Sequence, residues 1–231
     1  MDTSRESSGK KPVLAILGGT GKEGSGLAVR WAHAGYPVII GSRDASRAEA
    51  TATELAAIAG EHALLSGANN LDAATKAQVI VLAVPYNVQL TTVQEIRGAL
   101  AGKMLIDVTV PLVPPKVDRV QLPEGGSAVV RLQQLLGATV QVVSAFQNVS
   151  AHHLKELGHP IECDVLICSD SPEARERVVE LARAAGMRGV NAGALANSAA
   201  AEALTSVLIA INKRYKIPAA GIRITGIPDA G

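Results

Sequence analysis

The sequence predicts an α/β protein: a doubly wound parallel sheet followed by a smaller carboxy-terminal α/β domain. Three observations predict it. Short apolar runs ended by glycine or proline read as strands buried on both faces, the first being Val13-Leu14-Ala15-Ile16-Leu17. Such runs alternate with helical patterns up to residue 146, as parallel strands joined by crossover helices require. The first run passes directly into Gly18-Gly19-Thr20-Gly21-Lys22-Glu23-Gly24, which contains G-x-G-x-x-G as Gly19, Gly21 and Gly24. A helical pattern and a second apolar run follow, which is the context a dinucleotide-binding (Rossmann-type) turn requires.

In that turn Gly19 is expected to permit the tight bend and Gly21 to let the backbone approach a pyrophosphate. Gly24 is expected to let the helix pack closely on the strand. The unpaired N–H groups at the helix start, with the helix dipole, would hold the anion. The helix is expected over residues 25–34, with Leu27, Val29 and Trp31 packed on the sheet, and Val38-Ile39-Ile40 is the second strand. Nicotinamide sites without a 2′-phosphate usually place Asp or Glu at the end of this strand. Here Gly41-Ser42-Arg43 stands there. A hydroxyl and a guanidinium suit a 2′-phosphate, which a carboxylate would repel. Arg47, one helical turn on, reads either as a second clamp or as a surface charge. Asp44 is assigned to the start of the next helix, where Ser46-Arg47-Ala48-Glu49 also fits a capping box.

Downstream, residues 48–59 form an Ala-rich helix closed by Gly60, 61–68 a short strand and 69–76 a small helix. Residues 79–85 are a buried strand with Val84 and Tyr86 near its carboxyl end, where open parallel sheets bind ligands. Tyr86 reads equally as a turn aromatic. Residues 88–100 are expected to be a helix, 104–108 a strand, and 110–115 a stiff proline-rich loop of the kind that lines clefts. A helix over 127–136 and a sixth strand over 139–146 complete the sheet. In the remainder we expect a helix over 148–157 carrying His152 and His153, a strand over 163–168, a helix over 172–185 and an extended piece over 189–192. The last helix, 196–213, is apolar on nearly every side and is therefore expected to be buried, with a subunit interface as one place for it. Lys213, Arg214 and Lys216 at its end read first as partners of the helix dipole, with the holding of an acidic ligand tail as the alternative.

Composition excludes other classes. The chain has 231 residues and a formal net charge of +1, so no overall field points to nucleic acid or a membrane surface. One Phe, one Trp and three Tyr leave little for stacking single-stranded bases. Residues 1–11 read as a loose polar tail, and no stretch is expected to reach the roughly 18 apolar residues a membrane span needs. Cys163 and Cys168 are too few for a disulfide framework and read as buried thiols in a reducing, cytoplasmic setting. His152 and His153 are expected to diverge, His33, His62 and His159 to lie scattered, and no metal site is expected. No acid–base residue stands out. A hydride donor and acceptor that are both bound cofactors need positioning more than proton transfer.

Several segments together carry a resemblance: Gly18-Gly19-Thr20-Gly21, Gly41-Ser42-Arg43, Val110-Pro111-Leu112-Val113, Val149-Ser150-Ala151-His152-His153, Ala192-Gly193-Ala194-Leu195 and Gly221-Ile222-Arg223-Ile224-Thr225-Gly226. Over residues 12–227 the chain resembles the F420-dependent NADP reductases. The resemblance implies hydride transfer between NADP(H) and the deazaflavin coenzyme F420. It implies an NADP-binding domain over 12–146 and a small domain over 147–231 that forms the deazaflavin cleft. A homo-oligomer, a dimer in the first instance, is expected. Carried over by position, Thr20, Gly21, Lys22 and Glu23 meet the pyrophosphate, Ser42, Arg43 and Arg47 the 2′-phosphate, and Tyr86, Leu90 and Ala151 the nucleotide. Asn148 and Val149 lie near the nicotinamide and deazaflavin rings, and no catalytic side chain is assigned. Related domains use flavin or ferric iron, so the acceptor stays open at this point. A reductase of a small carbonyl or imine stays open too, although the residues after Phe146 are few for the helical domain such enzymes add. So does a non-catalytic NADPH-sensing module.

Overall fold

The computed structural model describes residues 10–227. Most of the expected tail lies outside them. Lys11, expected to be part of it, is tied down: its Nζ donates to Ala34 O and stands 4.9 Å over the Tyr36 ring.

Six parallel strands, β1 (Leu14–Leu17), β2 (Val38–Ser42), β3 (Leu65–Asn69), β4 (Val79–Leu82), β5 (Met104–Asp107) and β6 (Gln141–Ser144), lie in the order β3-β2-β1-β4-β5-β6. The chain order reverses beside β1, so the crevice for a ligand opens at the carboxyl ends of β1 and β4. Alternate residues of each strand feed two apolar layers. One layer packs α1 (Lys22–His33), α2 (Ala45–Ala59) and α6 (Pro172–Ala184) on the sheet. The other packs α3 (Asn70–Lys76), α4 (Gln89–Ile96) and α5 (Ala128–Leu136). After β6 a second, two-stranded parallel sheet forms from β7 (Val165–Ile167) and β8 (Gly189–Asn191) with α6 as its crossover. An antiparallel bridge between Ser144 and Cys168 joins the two sheets. Both cysteines are buried free thiols.

The chain's single Phe and single Trp meet here. Trp31 and Phe146 are fully buried edge to face, centroids 5.7 Å apart, and Trp31 Nε1 donates to Leu181 O at 2.8 Å. One residue earlier on α1, the buried Arg30 donates to five backbone carbonyls: Leu154 O through Nε, Ala185 O through Nη1, and His153, Glu156 and His159 O through Nη2. Burial lowers its pKa.

Arg30 explains a departure from expectation. Residues 148–157 are not a helix; only one turn, Ala151–His153, is regular. Carbonyls drawn onto the guanidinium replace the usual helical ladder, and the chain continues as successive three-residue turns. Other departures are smaller. The first helix starts at Lys22, and α2 starts at Ala45, capped by Asp44, whose Oδ1 accepts from Ser46 N at 3.0 Å and Arg47 N at 3.3 Å. The expected capping box is therefore absent, because Ser46 already lies inside the helix. The region 88–100 divides into α4 and a short 3₁₀ turn, Arg97–Ala99.

The last helix, α7 (Ser198–Tyr215), is not wholly buried as expected. Only Ser198, Ala201, Glu202, Ser206 and Leu208 are covered, and Val207 is 43% exposed. Its covered face meets α5, where Glu202 accepts from Ala128 N at 2.8 Å and from Ser127 Oγ at 2.6 Å. Leu195–Tyr215, mean hydropathy 1.3, is long and apolar enough by length and composition to cross a membrane, contrary to the expectation that no stretch would be. Lys213 forms an ion pair with Asp118 at 2.8 Å and so does more than complement the dipole.

Arg30→Met is expected to destabilise the protein by about 3 kcal/mol or more, since each buried carbonyl left without a donor costs about 1–3 kcal/mol. Denaturant unfolding checks this, and a loss below about 1 kcal/mol would contradict it.

Candidate nucleotide-binding site

The turn after β1 is built on bare backbone. Gly18, not Gly19, takes the left-handed conformation, with φ +79°, and a Cβ there would stand 2.3 Å from Ala83 O. This corrects the expected division of roles. Gly19 is pressed instead against Ile16 O, where a Cβ would come to 2.8 Å. Gly24 packs α1 on the turn as expected, 2.7 Å from Gly18 O by the same measure. Gly21 caps α1 and no side chain closes that end, so the first N–H groups of the helix are left for an anion.

That helix end faces a groove of about 390 Å³. It is lined by Gly18, Thr20 and Gly21 from the turn, Ser42 and Arg43 from the end of β2, Arg47 from α2 and Val84 after β4. The one carboxylate beside Arg43 belongs to Asp44, and it is committed to capping. The Ser46 hydroxyl donates to it at 2.7 Å, and with the backbone N–H groups this holds the carboxyl below its usual range.

Several lining residues were not among the expected site residues, Asn70, Thr91, Thr92 and Glu95 among them. Asn70, at the β3–α3 junction, is buried with its Oδ1 unpartnered. Glu95 and Thr91 of α4 line the far wall. The signal for Asn70 was its place at a strand's carboxyl end. Of the other expected residues, Gly19 and Gly24 lie behind the turn and Lys22 is exposed on α1. Tyr86 and Leu90 fall outside the groove lining. Asn148 is buried, its amide donating to Asp164 O at 2.6 Å; Val149 is buried and Ala151 half-buried beyond it.

Glu23 lies within α1's first turn with Oε1 buried and unpartnered. Burial, then the negative charge of Asp107, pushes its pKa up to about 8. Burial likewise pushes Asp107 up to about 7, although Gln89 Nε2 at 2.5 Å and Thr109 N at 2.9 Å donate to it.

One segment that carried the resemblance, residues 221–226, meets Asn148 and Arg188 around Asp164. Arg188 grips its carboxylate with Nε at 2.8 Å and Nη2 at 2.6 Å, Ile224 N donates to it at 2.6 Å, and Asn148 holds its carbonyl. The Arg188 hydrogen bonds keep its pKa below the ordinary carboxylate value. A second cavity, of about 370 Å³, opens beside this knot between Ser150, His153, His159, Cys163 and Ala220. The histidines here do not diverge or scatter. The His152 and His153 rings meet edge to face at 4.4 Å, and His159 stacks on His153 at 3.9 Å.

A glycine turn that feeds an open helix end, and two arginines facing it with the neighbouring acid spent, define a dinucleotide-binding α/β protein. Residues 13–111 match the family model described as NADP oxidoreductase, coenzyme F420-dependent. The F420-dependent NADP reductase of Methanothermobacter thermautotrophicus is 41% identical over 94% of this chain and 96% of its own. That of Methanocaldococcus jannaschii is 39% identical over 93% and 98%. The chain belongs to the F420-dependent NADP reductase family. A crystal structure from Arthrobacter sp. FB24, described as an F420-dependent NADP reductase, superposes with TM-score 0.77 at 22% identity, covering 93% of this chain and 99% of that one. A reductive aminase from Aspergillus terreus shares the fold at TM-score 0.61 and 16% identity, over 90% of this chain and 63% of its own.

The Glu23 carboxyl gives a pH signature. Its unfolded value is near 4.5 and its folded value about 8, so the folded state binds the extra proton between them. Stability therefore falls as pH rises through that window and is flat outside it. Glu23→Gln is expected to flatten the decline of Tm between pH 5 and 8.5. At pH 8.5 it is expected to raise stability by on the order of 1 kcal/mol, or about 2–4 °C. A parallel decline in wild type and variant would contradict the assignment.

Proposed function

We propose that this chain transfers a hydride between NADP(H) and the deazaflavin coenzyme F420, with the groove beside β1 as the NADP site. The observation that carries the reading is the meeting of Ser42, Arg43 and Arg47 at the end of β2, with Asp44 turned away as a cap. These residues fit a 2′-phosphate. The open amino end of α1, with Thr20 and Gly21, fits the pyrophosphate. Val84, Tyr86, Leu90 and Ala151 belong to the proposed nucleotide contacts, and Lys22 and Glu23 to the pyrophosphate side. Protonated, Glu23 adds no charge against the anion. NADPH supplies the hydride and F420 accepts it, or the reverse.

The residues of the chain contribute position rather than proton transfer. Asn148 and Val149 follow the carboxyl end of β6, and the Asn148 tether to Asp164 fixes the backbone that we place beside the two rings. We divide the chain at residue 146, where the six-stranded sheet has ended, with 147–231 as the small domain. The half-open apolar face of α7 supports a homodimer in which that face is covered, rather than a membrane span or a nucleic-acid surface. The two free thiols suit a cytoplasmic location.

Mixing the purified chain with NADPH and F420 is expected to bleach the deazaflavin absorbance, and no change at saturating cofactors would refute the activity. In the same assay Arg43→Ala is expected to cost about 1.5–3 kcal/mol of NADPH binding, the loss of one charged hydrogen bond. That is about a 10- to 150-fold rise in KM, with little change toward NADH. Equal losses for both nucleotides would contradict the assignment.

A further inference from the structure

We propose that His153, Glu156 and His159 form a binding site for a divalent transition-metal ion on the rim of the second cavity, apart from the nucleotide groove. The three recur at every third position along a run of three-residue turns: Glu156 N donates to His153 O at 3.1 Å and His159 N to Glu156 O at 2.9 Å. In such turns side chains three apart stand on the same side. The carbonyls of the same three residues all accept from Arg30 Nη2, at 3.3, 3.0 and 3.0 Å. The backbone of the run is thus gathered onto a buried cation from α1, and the three side chains converge.

One ligand atom from each residue lies within 4.8 Å of the other two. His153 Nδ1 and Glu156 Oε1 are already 3.1 Å apart. Two donors each about 2.0–2.1 Å from a tetrahedral zinc ion stand roughly 3.3 Å apart, so this pair needs almost no movement. The His159 ring is exposed and stacked at 18° on His153, and a side-chain rotation at the surface brings its nitrogen to the third position. Two imidazoles and one carboxylate suit Zn²⁺ with a fourth position left for water. Ni²⁺, Co²⁺ and Cu²⁺ share the preference for imidazole, whereas Ca²⁺ and Mg²⁺ prefer oxygen donors. A bound ion would cross-link the turns that follow Asn148 and Val149, and would stabilise the folded state by mass action.

The test uses the full chain without an affinity tag, stripped with chelator and titrated with ZnCl₂ by calorimetry, with thermal melting in parallel. One equivalent of Zn²⁺ is expected to bind and to raise Tm. His153→Ala and His159→Ala are each expected to weaken binding at least tenfold and to lose the Tm rise, while His62→Ala keeps both. Melting of each variant without metal confirms that it folds. No saturable binding at micromolar Zn²⁺ overturns the proposal, and so does binding that both cluster variants weaken less than tenfold.

Discussion

The structure depends on one close approach of backbone to backbone. Gly18 turns the chain over the end of β4 with its α-carbon so near Ala83 O that no side chain fits between them. This contact fixes where α1 begins and which way it points. The open end of α1 then faces the crevice where the strand order reverses. The far half of the same helix carries Arg30 and Trp31, which gather the chain after β6 by their hydrogen bonds to backbone carbonyls. One helix therefore presents an anion site at its start and organises the carboxy-terminal region at its end. A shift of the glycine turn would disturb both.

Electrostatics around the groove follow from how each acid is used. Asp44 is the residue whose charge could repel a 2′-phosphate; its carboxylate stays ionised, with Oδ1 accepting from the first turn of α2. Glu23 and Asp107 are buried, and burial favours their neutral forms near pH 7. What remains at the groove is the helix dipole and two guanidinium groups, with Glu95 on the opposite wall. Burial and capping, more than a surplus of basic residues, make this groove hospitable to phosphate in a chain of net charge +1.

Local pattern made most of the sheet legible. All four residues of β1, β4 and β5 are buried; β1 and β4 are unbroken apolar runs, β5 departs from one only at Asp107, and the parallel order follows from alternation with helices. The glycine turn and Gly41-Ser42-Arg43 were legible because a fixed number of residues separates them from β1. What was hidden depends on partners far away in the chain. The irregular turns after Val149 follow from Arg30, more than 120 residues earlier. The histidine cluster was hidden because His159 lies beyond the expected helix and reaches His153 only through these successive turns. Hydropathy showed α7 to be apolar without saying which face α5 would cover. Asn70 follows the carboxyl end of β3, and the register of β3 on β2 brings it to the groove.

The central claim is that this groove selects a phosphate on the 2′ position of the adenosine ribose. Calorimetric titration of the unaltered chain with adenosine 2′,5′-bisphosphate and with adenosine 5′-monophosphate isolates that single group from the rest of the cofactor. The account predicts at least about tenfold tighter binding of the bisphosphate, equivalent to one charged hydrogen bond, and a gap that narrows as salt is added. Equal affinities for the two fragments, or a preference for the monophosphate, would contradict it.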